Sequence, residues 1–99
     1  MGAKKGSYRL SPLAGSDLED IWNYTVEAWS TQQAEIYHAS LIAAIEGLSQ
    51  GKHIGRISNV RVGYFKFAVG QHIIFFKQSG AGIEVIRILH QGMDVSRHL

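Results

Sequence analysis

The residues best equipped for chemistry are Arg61, Lys66, Arg87 and His90, with Met93 and Asp94 just beyond them. His90 adjoins a strong apolar run and charged neighbours, where an imidazole can act as acid or base near neutral pH. Arg61 and Lys66 would add to Arg87 a basic surface of the kind a phosphate-rich partner requires. Each residue also has a plainer reading. Lys66 and Arg61 are then solvated strand charges, His90 is a hydrogen-bonded residue at a strand end, and Arg87 pairs with Glu84 or with a helix acid at the sheet edge. The five histidines are scattered without HxH or HxxxH spacing, and no cysteine is present, so no metal site is expected. Neither a glycine-rich phosphate loop nor a GxSxG elbow occurs, and no cofactor is expected.

Ninety-nine residues with 45% apolar content fit one domain that buries a modest core. Residues 1–50 carry three Lys/Arg against six Asp/Glu, and residues 51–99 carry seven against two. The molecule is therefore dipolar, and its basic half attracts nucleic acid or an acidic protein segment. No apolar stretch approaches the roughly 20 residues of a membrane span, and the N-terminus lacks a signal-peptide core. A cytoplasmic protein without membrane contact is expected. Residues 1–7 read as a disordered tail and residues 8–99 as the domain.

Several elements must position these side chains. Tyr8–Leu10 reads as a short strand, and "SP" at 11–12 as a cap with proline in the first helical turn. Ser16 with Glu19 offers a second possible start, because Gly15 is a poor interior residue. Ala14, Leu18, Ile21, Trp22, Thr25 and Trp29 form one helical face, with Asp17, Glu19, Asp20 and Glu27 mostly opposite. Both tryptophans are expected in the core, with interface anchoring as the second reading. Ser30 with Gln33 fits a capping box that opens a second helix, whose stripe is Ala34, Tyr37, Leu41, Ala44, Ile45 and Leu48. Residues 49–59 read as a loop. "VRVGYFKF", "HIIFFK" and "IEVIRILH" follow as strands of an antiparallel meander. In the last of these, Ile83, Val85, Arg87 and Leu89 share one face, and Ile86 and Ile88 make the other the better candidate for packing on the helices. The fold class is α+β in two layers: an N-terminal strand and a helical hairpin packed on a small antiparallel sheet.

Three stretches together resemble a known family: "YRLSPLAGSDLEDIWNYTVEAWSTQQAEIY", "VRVGYFKFAVGQHIIFFKQ" and "IEVIRILHQGMDVSRHL". They are similar to ParE, the toxin of bacterial ParD–ParE toxin–antitoxin modules, within the RelE/ParE superfamily. The resemblance runs from Tyr8 to Leu99. Many relatives carry arginine where this chain has Gly92, which removes one basic contact. The resemblance implies a toxin that inhibits DNA gyrase, through its A subunit, by stabilising the cleaved-DNA complex. It also implies a ParD antitoxin that wraps its C-terminal segment around the toxin in a hetero-oligomer, with no small-molecule substrate. Relatives of the RelE branch instead cut messenger RNA on the ribosome, which requires a base, an acid and cations around the phosphorane. Arg61, Lys66, Arg87 and His90 would be that set. It is incomplete, since Tyr64 is the last tyrosine and Glu84 the last glutamate. A binding toxin, not an enzyme, is thus expected, with Arg61, Arg87, His90, Met93 and Asp94 as its recognition residues. A ribosome-dependent ribonuclease and a non-toxic relic that only binds antitoxin are the alternatives. The antitoxin is expected to be acidic and disordered until bound, and to occupy a groove between the helices and the sheet.

Overall fold

A computed structural model describes residues 6–99, so the expectation of a free tail at residues 1–5 lies outside the described residues. Gly6 and Ser7, read from sequence as part of that tail, are tied down instead. Ser49 Oγ donates to the Gly6 carbonyl at 2.6 Å, and the Ile83 N–H donates to the Ser7 carbonyl at 3.2 Å. A Cβ on Gly82 would stand 1.8 Å from that same Ser7 oxygen, so the close approach of the incoming chain requires glycine there.

The elements run β1 (Tyr8–Leu10), α1 (Pro12–Ala28), α2 (Thr31–Ser49), β2 (Arg56–Ile57), β3 (Phe65–Val69), β4 (His72–Ser79), β5 (Gly82–His90) and a 3-10 turn at Val95–Arg97. Two helices pack on a five-stranded sheet of order β1-β5-β4-β3-β2, the two-layer α+β class expected. β1 runs parallel to β5 and every other pairing is antiparallel, which makes the sheet mixed. No described helix is long and apolar enough to cross a membrane.

The first helix starts at Pro12, not at the alternative Ser16. Ser11 is its cap: the hydroxyl accepts the Ala14 N–H at 3.0 Å and donates to the Ile86 carbonyl at 2.6 Å, while the Ser11 N–H reaches the Val85 carbonyl at 2.9 Å. One serine thus begins the helix and fastens it to β5. Ser11→Ala should lower stability by about 1–2 kcal/mol, the usual cost of a lost cap, read as a shift in urea midpoint. At α2, Ser30 accepts the Gln33 N–H at 3.0 Å.

Between the layers lie Ala14 and Leu18 of α1, Leu41, Ala44, Ile45 and Leu48 of α2, and Ile74, Phe76, Ile83, Val85 and Ile88 of the sheet. The stripes read from sequence account for most of this core. Neither tryptophan joins it: Trp22 is half-buried with its ring edge-on to His38, and Trp29 is 74% exposed.

β5 does not alternate evenly. Phe76 pairs with Val85 but Phe75 with Arg87, so Ile86 is an extra residue with no partner on β4. This bulge brings Ile83 and Val85 into the helix-packed core, against expectation, while Ile88 packs there and Arg87 lies on the other face beside Phe75, as expected. In an unbroken register Arg87 would oppose Ile74, and its charge would enter the apolar layer. Two other expectations also change. Residues 49–59 are not all loop, because Arg56–Ile57 add an edge strand. "VRVG" is turn, not strand, ending at Gly63 with φ +85°, and Val62 is fully exposed.

Candidate functional site

An open groove of about 750 Å³ lies between the helical hairpin and one end of the sheet. α1 contributes Asp20, Ile21, Tyr24, Thr25 and Trp29; α2 contributes Gln33 and Tyr37; the sheet contributes Gln71, His72 and His90. The corner between the helices shapes it. Trp29 caps α1 with its N–H on the Thr25 carbonyl at 2.9 Å, and the Ser30 N–H shares that acceptor at 3.2 Å. The chain reverses within this turn and leaves the indole outward, with Tyr24 67% exposed nearby on α1.

At the sheet end, the Tyr37 hydroxyl accepts the Gln71 N–H at 3.1 Å and lies 2.6 Å from His72 Nδ1, against 3.2 Å from the Val69 carbonyl. The hydroxyl bonds the Val69 carbonyl as donor and joins the His72 ring at Nδ1, where either partner can carry the shared proton, so phenol and imidazole are linked in both tautomers. Gly70 is required twice over, with φ +55° and a Cβ position 2.7 Å from the Tyr37 ring. His72 and His90 face each other across β4 and β5, rings edge-on at 5.5 Å. The bulge creates this pair, since an unbroken register would set His72 against Leu89. His90 is exposed, and its Nδ1 accepts the Gly92 N–H at 3.1 Å.

Burial first, and then the positive charge available to His90, hold the His72 imidazole below its ordinary value of 6.5, with Asp17 opposing. Burial raises Tyr37, and the Gln71 N–H opposes it. Tyr37, His90, Asp17 and the groove-lining Asp20 are the titratable groups around His72. A depressed folded-state value means that the unfolded chain binds the extra proton. The stability is therefore complete above the ordinary histidine range and falls as pH drops through it toward the folded value. Urea midpoints should decline between about pH 7.5 and about pH 5.5, and His72→Gln should flatten that decline.

Arg87 is not an outward-reaching cation. Its Nε and Nη2 donate to Asp17 at 2.8 and 2.9 Å, and Nη1 donates to the His98 carbonyl at 3.2 Å. Asp17 also accepts the Ile88 N–H at 2.9 Å. The expectation that Asp17 sits on the solvent face is corrected too: beyond the end of β1, its carboxylate closes the edge of β5. The pair is the helix-acid partnership that sequence left open for Arg87. Hydrogen bonding to Asp17 raises the Arg87 value further, so the guanidinium is charged at any working pH.

The other candidates are dispersed. Lys66 stands on the sheet face away from the helices, opposite Arg56. Arg61 is exposed in the β2–β3 loop. Met93 is 38% exposed, and Asp94 caps the last turn by accepting from Ser96 N and Oγ while pairing with Arg97 at 3.6 Å. Among the described residues no three side chains group as metal ligands. Sequence reasoning missed Asp17, Tyr24, Tyr37 and His72 as site residues. Only the hairpin register could have found His72, and the bulge shifts that register by one.

The model of the family described as "ParE toxin of type II toxin-antitoxin system, parDE" matches residues 8–95. "Toxin ParE1" of Mycobacterium tuberculosis is 44% identical over 94 residues, covering 93% of this chain and 96% of the relative. "Toxin ParE1" of Caulobacter vibrioides is 41% identical over 93 residues, with the same coverage of each chain. A solved chain titled "Chromosomal ParDE TA system from P. aeruginosa" shares the fold, with a TM-score of 0.76 at 20% identity, over 87% of this chain and 96% of that one. A family match across nearly the whole described domain, with relatives above 40% identity, places this chain in the ParE toxin family of type II toxin–antitoxin systems.

Proposed function

We propose that this chain acts in the cytoplasm by binding DNA gyrase through its A subunit and holding the cleaved-DNA complex. A ParD-type antitoxin neutralises it by laying its C-terminal segment in the groove between helices and sheet. The toxin works by binding and breaks no bond itself. The observation that supports this reading is the separation of the cations. Arg87 is consumed by Asp17, Lys66 lies on the outer sheet face, and Arg61 lies in a distant loop, so they do not converge with His90 on one phosphate. Arg61, His90, Met93 and Asp94 remain the proposed partner contacts, and Arg87 acts by fixing the strand that leads to them.

Added to gyrase with relaxed plasmid, the purified chain should stop supercoiling and accumulate cleaved DNA. Undiminished supercoiling with toxin in excess overturns the proposal. The Tyr37–His72–His90 cluster favours a ribonuclease as the second reading, because it gathers proton-transfer groups in one groove. That reading requires transcript loss on induction without antitoxin, slowed by orders of magnitude in His90→Ala. Intact transcripts alongside DNA-damage signalling eliminate it.

A further inference from the structure

We infer that the open edge of β2 is a docking site for an extended, acidic polypeptide segment with aliphatic residues at alternate positions, which adds to the sheet as a sixth strand. Three features of this edge carry the inference, and none of its residues lines the groove.

The first is backbone. β2 ends the strand order, so one side of it is unpaired. The Ser58 N–H donates to the Tyr64 carbonyl at 2.9 Å, and antiparallel pairing alternates, so the Ile57 N–H and C=O point away from β3. The edge is held in place, because Gly55 lies so close to the Phe76 ring that a Cβ would approach it to 2.5 Å.

The second is apolar surface. Ile54, Ile57 and Val62 are 88%, 73% and 104% exposed, all within one short segment. Single exposed aliphatics are ordinary, but three gathered at an unpaired strand edge make a contact surface.

The third is charge. No aspartate or glutamate occurs between Glu46 and Glu84, while Lys52, Arg56, Arg61, Lys66 and Lys77 all do. Arg56, Arg61 and Lys66 form no ion pair among the described residues, and Arg56 directly opposes Lys66 across the strands. Like charges so placed repel, and an incoming carboxylate relieves the repulsion. A second copy of this chain would bring the same cations to the edge. A phosphodiester backbone would satisfy the cations but leave the aliphatics and the Ile57 amide unused. An acidic strand uses all three features.

The test employs a short synthetic peptide of alternating valine and glutamate, its valine–lysine counterpart, and a single-stranded thymidine oligonucleotide of equal charge. The valine–glutamate peptide should bind, slow hydrogen exchange at the Ile57 amide, and weaken as salt rises. Ile57→Asp should weaken it about tenfold to a hundredfold, the effect of losing one buried aliphatic contact. Arg56→Glu should also weaken it. Ile57 is exposed, so an unchanged circular dichroism spectrum and thermal midpoint show that Ile57→Asp still folds. The inference is overturned if the peptide fails to bind or protects other amides. It is also overturned if the oligonucleotide binds at least as tightly as the peptide and is indifferent to Ile57→Asp.

Discussion

Arg87→Ala is expected to lower the unfolding free energy by about 2–4 kcal/mol, somewhat below the penalty for breaking a fully buried ion pair from one side, because both side chains are partly buried. The Arg87 and Asp17 side chains are only 15% and 12% exposed, so solvent screens this pair far less than a surface pair. Removing the guanidinium leaves the Asp17 carboxylate under α1 with the Ile88 N–H as its one remaining donor, and orphans the His98 carbonyl. Against the roughly 5–15 kcal/mol that stabilises a domain of this size, the loss is large. Urea unfolding of Arg87→Ala, Asp17→Ala and the double variant measures it. The double variant should lose much less than the sum of the single ones, because no charge is then stranded. Purely additive losses would mean that the two side chains do not work as a pair. Arg87 is raised from its ordinary value, so the protonated form persists throughout neutral pH and the pair contributes steadily there on the arginine side.

This pair marks the boundary of what the sequence makes legible. Helical stripes are long-period patterns, and Ala14, Leu18, Leu41, Ile45 and Leu48 all fall in the core they predict. Strand faces depend on strict alternation, which one inserted residue defeats. Ile86 has an ordinary strand composition and nothing local that announces a bulge. Its carbonyl is taken by Ser11, 75 residues earlier in the chain, and that long-range bond is invisible to periodicity. The misread faces of Ile83 and Val85 follow from this, whereas the inward tie of Arg87 comes from Asp17 on α1 and not from the bulge. Trp29 was misplaced for a different reason. It fits the helical stripe by spacing, yet it is the cap residue, where the φ of −130° and ψ of −82° leave the helix and carry the side chain off the apolar face. β2 escaped notice because two residues are too few to show alternation.

The exposure of Trp29 leads to the second large expected effect, which falls on binding and not on stability. On the reading that an antitoxin segment fills the groove, Trp29→Ala should raise its dissociation constant by about 30-fold to 1000-fold, or about 2–4 kcal/mol. Trp29 presents most of its surface to solvent at the mouth of the groove, beside Tyr24, and the capped corner at Ser30 fixes its backbone. A rigidly mounted aromatic is the kind of anchor on which interface energy concentrates, since burying it costs little conformational freedom. The free toxin should barely change, within roughly 0.5 kcal/mol, because the indole contributes little to the core. Titration calorimetry with the purified antitoxin, combined with urea unfolding of the free variant, separates the two quantities. The loss should appear mainly as faster dissociation, since the charges that steer encounter are untouched. Full-strength binding by Trp29→Ala would move the antitoxin out of this groove without bearing on gyrase. Weakened binding together with a lowered urea midpoint would mean that the residue holds the α1–α2 corner and is not itself the contact.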